Sequence, residues 1–193
     1  MTVPLFTADG LLPVGDYAVT LEQLRASRLV TGQGLGSRTW DRAWCGELVD
    51  NLEKLARQLW QAGVDRVFAD GSFAEAKDHP NDIDGYFECE LVNFSRLVQD
   101  LNSHDPEHVW DWSNRPIDPV SLKPHPRMWH AYRVELYPHF TDYPQLCGIP
   151  DQFGNDQFFP SAFRHSRRAH RQKGIMQIVR SALTFQFSQE VTP

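Results

Sequence analysis

Apolar residues recur at three- and four-residue steps through Trp44, Leu48, Leu52, Leu55 and Leu59, the spacing that lays a single stripe along a helix. The pattern predicts a helix from Thr39 to Ala62, with Gly63 at the usual terminating position. The period then shortens. Arg66 to Asp70 is a short, mainly apolar run that predicts a strand leading into a Gly71-Ser72 turn. From Asp82 onward, Ile83, Phe87, Cys89 and Leu91 fall on one phase of a two-residue period, interrupted by Gly85. Asp82, Asp84, Tyr86, Glu88 and Glu90 fall on the other. This second strand is expected to pack one face against helices and leave its carboxylate face open. Four acids on one side repel each other unless they are solvated or neutralised by a cation.

The flanking segments are less regular. Residues 1–20 are punctuated by Asp9-Gly10, Pro13 and Gly15-Asp16 and read as an extended arm with turns. Thr20-Leu21-Glu22-Gln23 places an N-cap three residues before Gln and opens a short helix to Leu29. Gly32, Gly34 and Gly36 read as a flexible connector, because no strand precedes them and the spacing is not that of a dinucleotide loop. Phe94 to Leu101 is a helix with Asn93 as N-cap, and Asn102 to Pro126 a long irregular loop, which suggests a binding lid or an inserted element. Trp110 and Trp112 within it either anchor the loop to the core or stack on a base. Trp129 to Phe140 predicts a third strand, with Tyr132, Val134 and Leu136 core-facing and Arg133, Glu135 and Tyr137 on the other phase. Ala162 to Lys173 is a basic helix or loop, followed by a final strand at Gly174–Val179 and a short C-terminal helix or tail. The class expected is α+β, in one domain over 1–193. Residues 1–38 form the arm and short helix, and 39–193 form a core containing loop 102–126.

Composition narrows the function classes. The 193 residues are 41% hydrophobic and 23% charged, ordinary for a soluble domain, and no run of 18 apolar residues offers a membrane span. The N-terminus lacks a basic stretch followed by an apolar one, and Cys45, Cys89 and Cys147 read as free thiols. The expected compartment is therefore the cytoplasm. A net charge of -6 argues against a general polyanion binder, and obligate DNA binding is not expected. Locally, Arg164, Arg167, Arg168, Arg171 and Lys173 crowd ten residues together with His165 and His170. Such a run is either a solvated face or a surface that meets a triphosphate or RNA. No histidine has metal-ligand spacing with a cysteine, and no G-x-S-x-G elbow is present.

The chemistry concentrates at Gly71-Ser72 and Asp82-Ile83-Asp84. Glycine permits close backbone approach to a ligand, and serine adds a hydroxyl beside free N–H groups. Carboxylates two residues apart in a strand share a face, where they can hold a divalent metal next to a phosphate chain. The bland alternative for the two acids is an Asx-type turn at a solvated strand end.

This stretch resembles the signature of the polymerase-beta-like nucleotidyltransferase superfamily, a Gly-Ser turn, a spacer of about ten residues and then Asp-x-Asp; here the spacer has nine residues. More widely, the chain looks like a group of small bacterial nucleotidyltransferase-like proteins. The similar islands are Leu12-Pro13-Val14-Gly15, Thr20-Leu21-Glu22, Asp70-Gly71-Ser72-Phe73, Pro80-Asn81-Asp82-Ile83-Asp84 and Lys173-Gly174-Ile175. The resemblance implies a nucleotidyltransferase-like mixed β-sheet flanked by α-helices. It also implies Mg²⁺ or Mn²⁺ held by Asp82 and Asp84, and a third acid on a neighbouring strand. Glu135 fills that place, where the superfamily usually has Asp. Gly71 and Ser72 would hold the nucleotide, with Lys77 in the spacer and Arg168, Arg171 or Lys173 at its outer charge. The implied activity moves a nucleoside monophosphate from an NTP, such as ATP, to a hydroxyl of protein, RNA or a small molecule. The alternatives are a non-catalytic antitoxin or nucleotide-binding module of the same fold, with a toxin as its protein partner, and a phosphohydrolase using the same acids.

Overall fold

Thr20 closes the capping box its sequence predicts: its side chain accepts from the Gln23 N–H, while Gln23 accepts from the Thr20 N–H. In the computed structural model, which describes residues 2–151 and 153–181, that cap separates a first strand, β1 (Asp16–Thr20), from α1 (Leu21–Ala26). A short α2 (Arg28–Thr31) and the long α3 (Arg42–Gln61) follow, then β2 (Val67–Asp70), β3 (Ile83–Cys89) and α4 (Phe94–His104). The remaining elements are α5 (Arg127–Tyr132), β4 (Val134–Phe140), β5 (Leu146–Pro150), β6 (Asp156–Phe158), β7 (His165–Ser166), β8 (Arg171–Gln172) and β9 (Ile175–Val179).

Five strands form one mixed sheet in the order β1-β9-β2-β3-β4. The outer pairs, β1 with β9 and β3 with β4, are parallel, and the inner pairs are antiparallel. The class is α+β with a mixed sheet, as the alternation of periods predicts. Alternation along each strand sorts its side chains onto two faces. Val67, Ala69, Ile83, Phe87, Val134, Leu136, Met176 and Ile178 join one core with the buried residues of the helices. The stripe of α3, from Cys45 to Leu59, lies within it, and each buried leucine contributes about 2 kcal/mol. On the opposite face Phe68, Tyr86 and Ile175 pack with Phe159 and Phe163. Asp70, Asp84 and Glu135, one residue out of phase with the helix-facing set, belong to that second face.

Several expectations give way. The predicted N-terminal arm contains β1, whose parallel partner β9 lies at the far end of the described chain and leaves no local trace. The long helix starts at Arg42, because Asp41 accepts from the Trp44 N–H and caps it. The short helix expected to Leu29 breaks at Ser27 into α1 and α2. Asn93 precedes α4, but its side chain turns to Glu90 instead of capping. Trp129 to Tyr132 belongs to the helix α5, and Arg133, at φ 53°, ends it before β4 begins. Leu91 lies in a 3₁₀ turn beyond β3. The expected open face is partly covered: the Phe159 and Phe163 rings stand 5.7 and 5.5 Å from Tyr86, which is fully buried. The basic segment folds as a 3₁₀ turn and the β7–β8 hairpin, and β5–β6 is a further hairpin that the periodicity does not announce. Loop 102–126 begins inside α4, and its tryptophans anchor it. Trp110 is buried and donates to Gln58, and Trp112 donates to the Leu136 carbonyl at 2.8 Å. The helix or tail expected after β9 lies outside the described residues. No described helix is long and apolar enough to cross a membrane.

Candidate active site

Four acids from three adjacent strands meet at one corner of the sheet. Antiparallel register sets Asp70 opposite Asp84, and parallel register sets Asp84 beside Glu135. Asp82 immediately precedes β3. The chain leaves β2 through Gly71, whose φ of 75° is left-handed, and enters a 3₁₀ turn, Gly71–Ala74, that carries the half-buried Ser72. A Cβ on Gly71 would overlap the Asp84 carboxylate. Glycine is therefore required twice, for the backbone conformation and for the space the carboxylate occupies.

The acids differ in what holds them. Asp82 accepts from Trp129 Nε1 at 2.8 Å, and burial still raises its pKa, with the Glu135 charge adding to the shift. Both oxygens of Glu135 are engaged: His125 Nδ1 donates at 2.5 Å to one, and the Tyr137 hydroxyl donates to the other. Trp129 is itself fixed by stacking on His125, with ring centroids 3.9 Å apart, and by Arg133, whose guanidinium lies 3.8 Å from its ring centroid. Asp84 has none of this support. Burial, followed by the charges of Asp82, Glu135 and Asp70, pushes its carboxyl up to about 8. The positive charge of Arg167 opposes that shift.

On the other side of the Gly-Ser turn the charges are balanced. The Lys173 ammonium, only 3% exposed, lies 3.0 Å from Asp70 and 3.2 Å from Glu75, and donates to the Gly71 carbonyl at 2.7 Å. Burial raises Asp70 to about 6 while Lys173 pulls the other way. Asp70 Oδ1 has the ammonium nearby yet accepts no aligned hydrogen bond. Arg168 pairs with Glu75 at 3.2 Å and Arg171 with Asp9 at 2.5 Å.

The sequence-derived residues therefore fall into two sets. Gly71, Ser72, Asp82, Asp84 and Glu135 share the corner, and Lys77, half-buried, acts on Asp82 with its charge. Arg168, Arg171 and Lys173 are committed to carboxylates of the protein itself. Sequence reasoning missed Asp70, which ends the predicted strand and looked like its terminus. It also missed the three residues that fix the acids, His125, Trp129 and Tyr137. Only Tyr137 carried a signal, its place two residues from Glu135 on the same strand phase.

As a donor set the acids fit a hard divalent cation, because carboxylate oxygens suit Mg²⁺ or Mn²⁺. Among the described residues, however, no three His, Cys, Asp or Glu side chains are arranged to hold a metal ion as they stand. A family model described as a family of unknown function, DUF6932, matches residues 4–179. No curated protein and no solved structure matches the chain.

Proposed function

The chain belongs to the DUF6932 family, and with no activity to inherit from it we propose, from the site, that it is a metal-dependent nucleotidyltransferase. Its fold is read here as nucleotidyltransferase-like. The single observation that carries this reading is the approach of the Asp84 carboxylate to Gly71, which joins a left-handed backbone turn to a cluster of crowded acids.

In this reading the Gly71 backbone and the Ser72 hydroxyl hold the triphosphate, and Asp82 and Asp84 hold the cation or cations. Bound Mg²⁺ or Mn²⁺ would supply charge neutralisation and a more acidic acceptor hydroxyl. The acceptor oxygen attacks the α-phosphorus, the bond from that phosphorus to the bridging oxygen breaks, and pyrophosphate leaves. The hydroxyl proton goes to Glu135, which His125 and Tyr137 keep aimed across the strand at Asp84. The acceptor is a hydroxyl of protein, RNA or a small molecule.

Incubation with labelled NTPs, Mg²⁺ or Mn²⁺ and cell extract tests the reading. Label should reach an acceptor with the wild-type chain and fall by at least about a hundredfold with Asp82→Ala/Asp84→Ala. Equal transfer by the double variant defeats it.

One observation favours a second reading. Because Glu135 is held at both oxygens, it is the acid least free to rearrange around metal. That suits a non-catalytic module, an antitoxin or nucleotide sensor, that binds NTP without turnover. Calorimetry showing metal-dependent NTP binding with no product would select it.

A further inference from the structure

The basic run divides into cations committed inside the protein and one that is not. Arg164 pairs with Asp16, Arg168 with Glu75, Arg171 with Asp9, and Lys173 with Asp70 and Glu75. Arg167 is exposed and, among the described residues, pairs with no carboxylate.

Its position is nevertheless fixed. Arg167 opens the turn between β7 and β8, and this hairpin is fastened to the Gly71–Glu75 turn. Its chain neighbour Arg168 hydrogen-bonds Glu75, and Ser166 on its other side accepts from the Ala169 N–H and closes the turn. Beyond β8, Lys173 grips Glu75 and the Gly71 carbonyl. Ser166 is fully buried, so the turn is rooted inside the protein while the Arg167 side chain lies exposed. Glu75 also holds the second uncommitted cation, since its carbonyl accepts from the Lys77 N–H at 2.8 Å.

Resting on the nucleotide reading above, we propose that Arg167 binds the outer phosphates of the triphosphate, with Lys77 completing the cradle. A guanidinium offers paired donors that match two phosphate oxygens. Arg167 rides on the hairpin that Arg168 and Lys173 tie to the Gly71–Glu75 turn, and with no carboxylate of its own among the described residues its guanidinium is available to an anion there. Arg168, one residue away, is already used by Glu75 and is the anchor instead of the ligand contact.

Calorimetry on the full chain with Mn²⁺-ATP, tripolyphosphate with Mn²⁺, and AMP tests this, comparing wild type, Arg167→Ala, Arg167→Lys and the distant, exposed Arg96→Ala. Arg167→Ala should weaken ATP and tripolyphosphate binding about tenfold, leave AMP unchanged and keep the wild-type melting temperature. Arg167→Lys should recover part of the loss, and Arg96→Ala should bind as wild type. Equal ATP affinity in Arg167→Ala overturns the proposal, as does an equal loss in Arg96→Ala, which would mark a general charge effect. A wild-type chain that transfers nucleotide while Arg167→Ala binds normally sinks the proposal and spares the catalytic reading. Arg167-dependent binding without transfer does the reverse. Binding of none of the three probes by the wild type defeats both.

Discussion

Asp70 and Asp84 face each other across one rung of the sheet, yet their surroundings differ in kind. Asp70 shares a buried ammonium with Glu75, and the same ammonium ties down the Gly71 carbonyl. Asp84 meets Asp82 and Glu135 on its other side and has no ion pair of its own among the described residues, and its carboxyl rises to about 8 where Asp70 stops at about 6. The first cluster is complete as it stands and fixes geometry. The second carries crowded carboxylates, and in the proposed function it is where a cation would bind. The Gly-Ser turn is the seam between them, which is why a ligand bound there would feel rigid backbone on one side and unspent negative charge on the other.

The comparison breaks most severely at Lys173. Replacing it with Met leaves Asp70 buried without a counter-charge and Glu75 with the exposed Arg168 alone, and we expect a loss of about 3–5 kcal/mol in urea unfolding. A loss below about 1 kcal/mol would mean that the balanced cluster does not fix the turn. Gly71→Ala comes next. The left-handed φ and the overlap with Asp84 should together cost about 2 kcal/mol, and Asp84→Ala in the same chain should relieve part of it. Strict additivity of the two changes would show that the carboxylate does not occupy the glycine's space.

The smallest effect sharpens the contrast through pH. A carboxyl whose folded pKa is raised binds a proton that the unfolded chain has already released, so stability falls as pH rises from about 4 through about 8. Asp84→Asn should flatten that slope and, with Asp84 only half-buried, raise stability at pH 8.5 by about 1 kcal/mol relative to wild type. Melting curves at pH 5 and 8.5 measure it; parallel slopes for the two chains would rule out the uncompensated charge.

What could be read from the residues was whatever is local. The stripe of α3, the Thr20 capping box and the two-residue alternation of β3 need only near neighbours, and each corresponds to an observed element. The joining of Gly71-Ser72 with Asp82 and Asp84 was legible for the same reason, because a single hairpin of strands brings them together. Long-range partners were not. β1 is a strand only because β9 lies beside it, and the glycines and proline that precede it, Gly10, Pro13 and Gly15, give no hint of that. In α5, Trp129 and Tyr132 carry side chains that favour strands, and tertiary packing overrides that preference. The basic run looked like one surface because its carboxylate partners, Asp9, Asp16, Asp70 and Glu75, lie about a hundred residues or more upstream.

Lys173 also has a meaning in time. It stands 102 residues after the Gly71 carbonyl it holds. At synthesis rates of about 5–20 residues per second, that separation is about 5–20 s on the ribosome. Through that interval Asp70 and Glu75 have emerged without the ammonium between them, and the seam that would receive phosphate has no fixed shape. In the proposed function, the nascent chain is therefore expected to be inert towards nucleotide until β9 docks, so that the site would be armed by completion of the sheet.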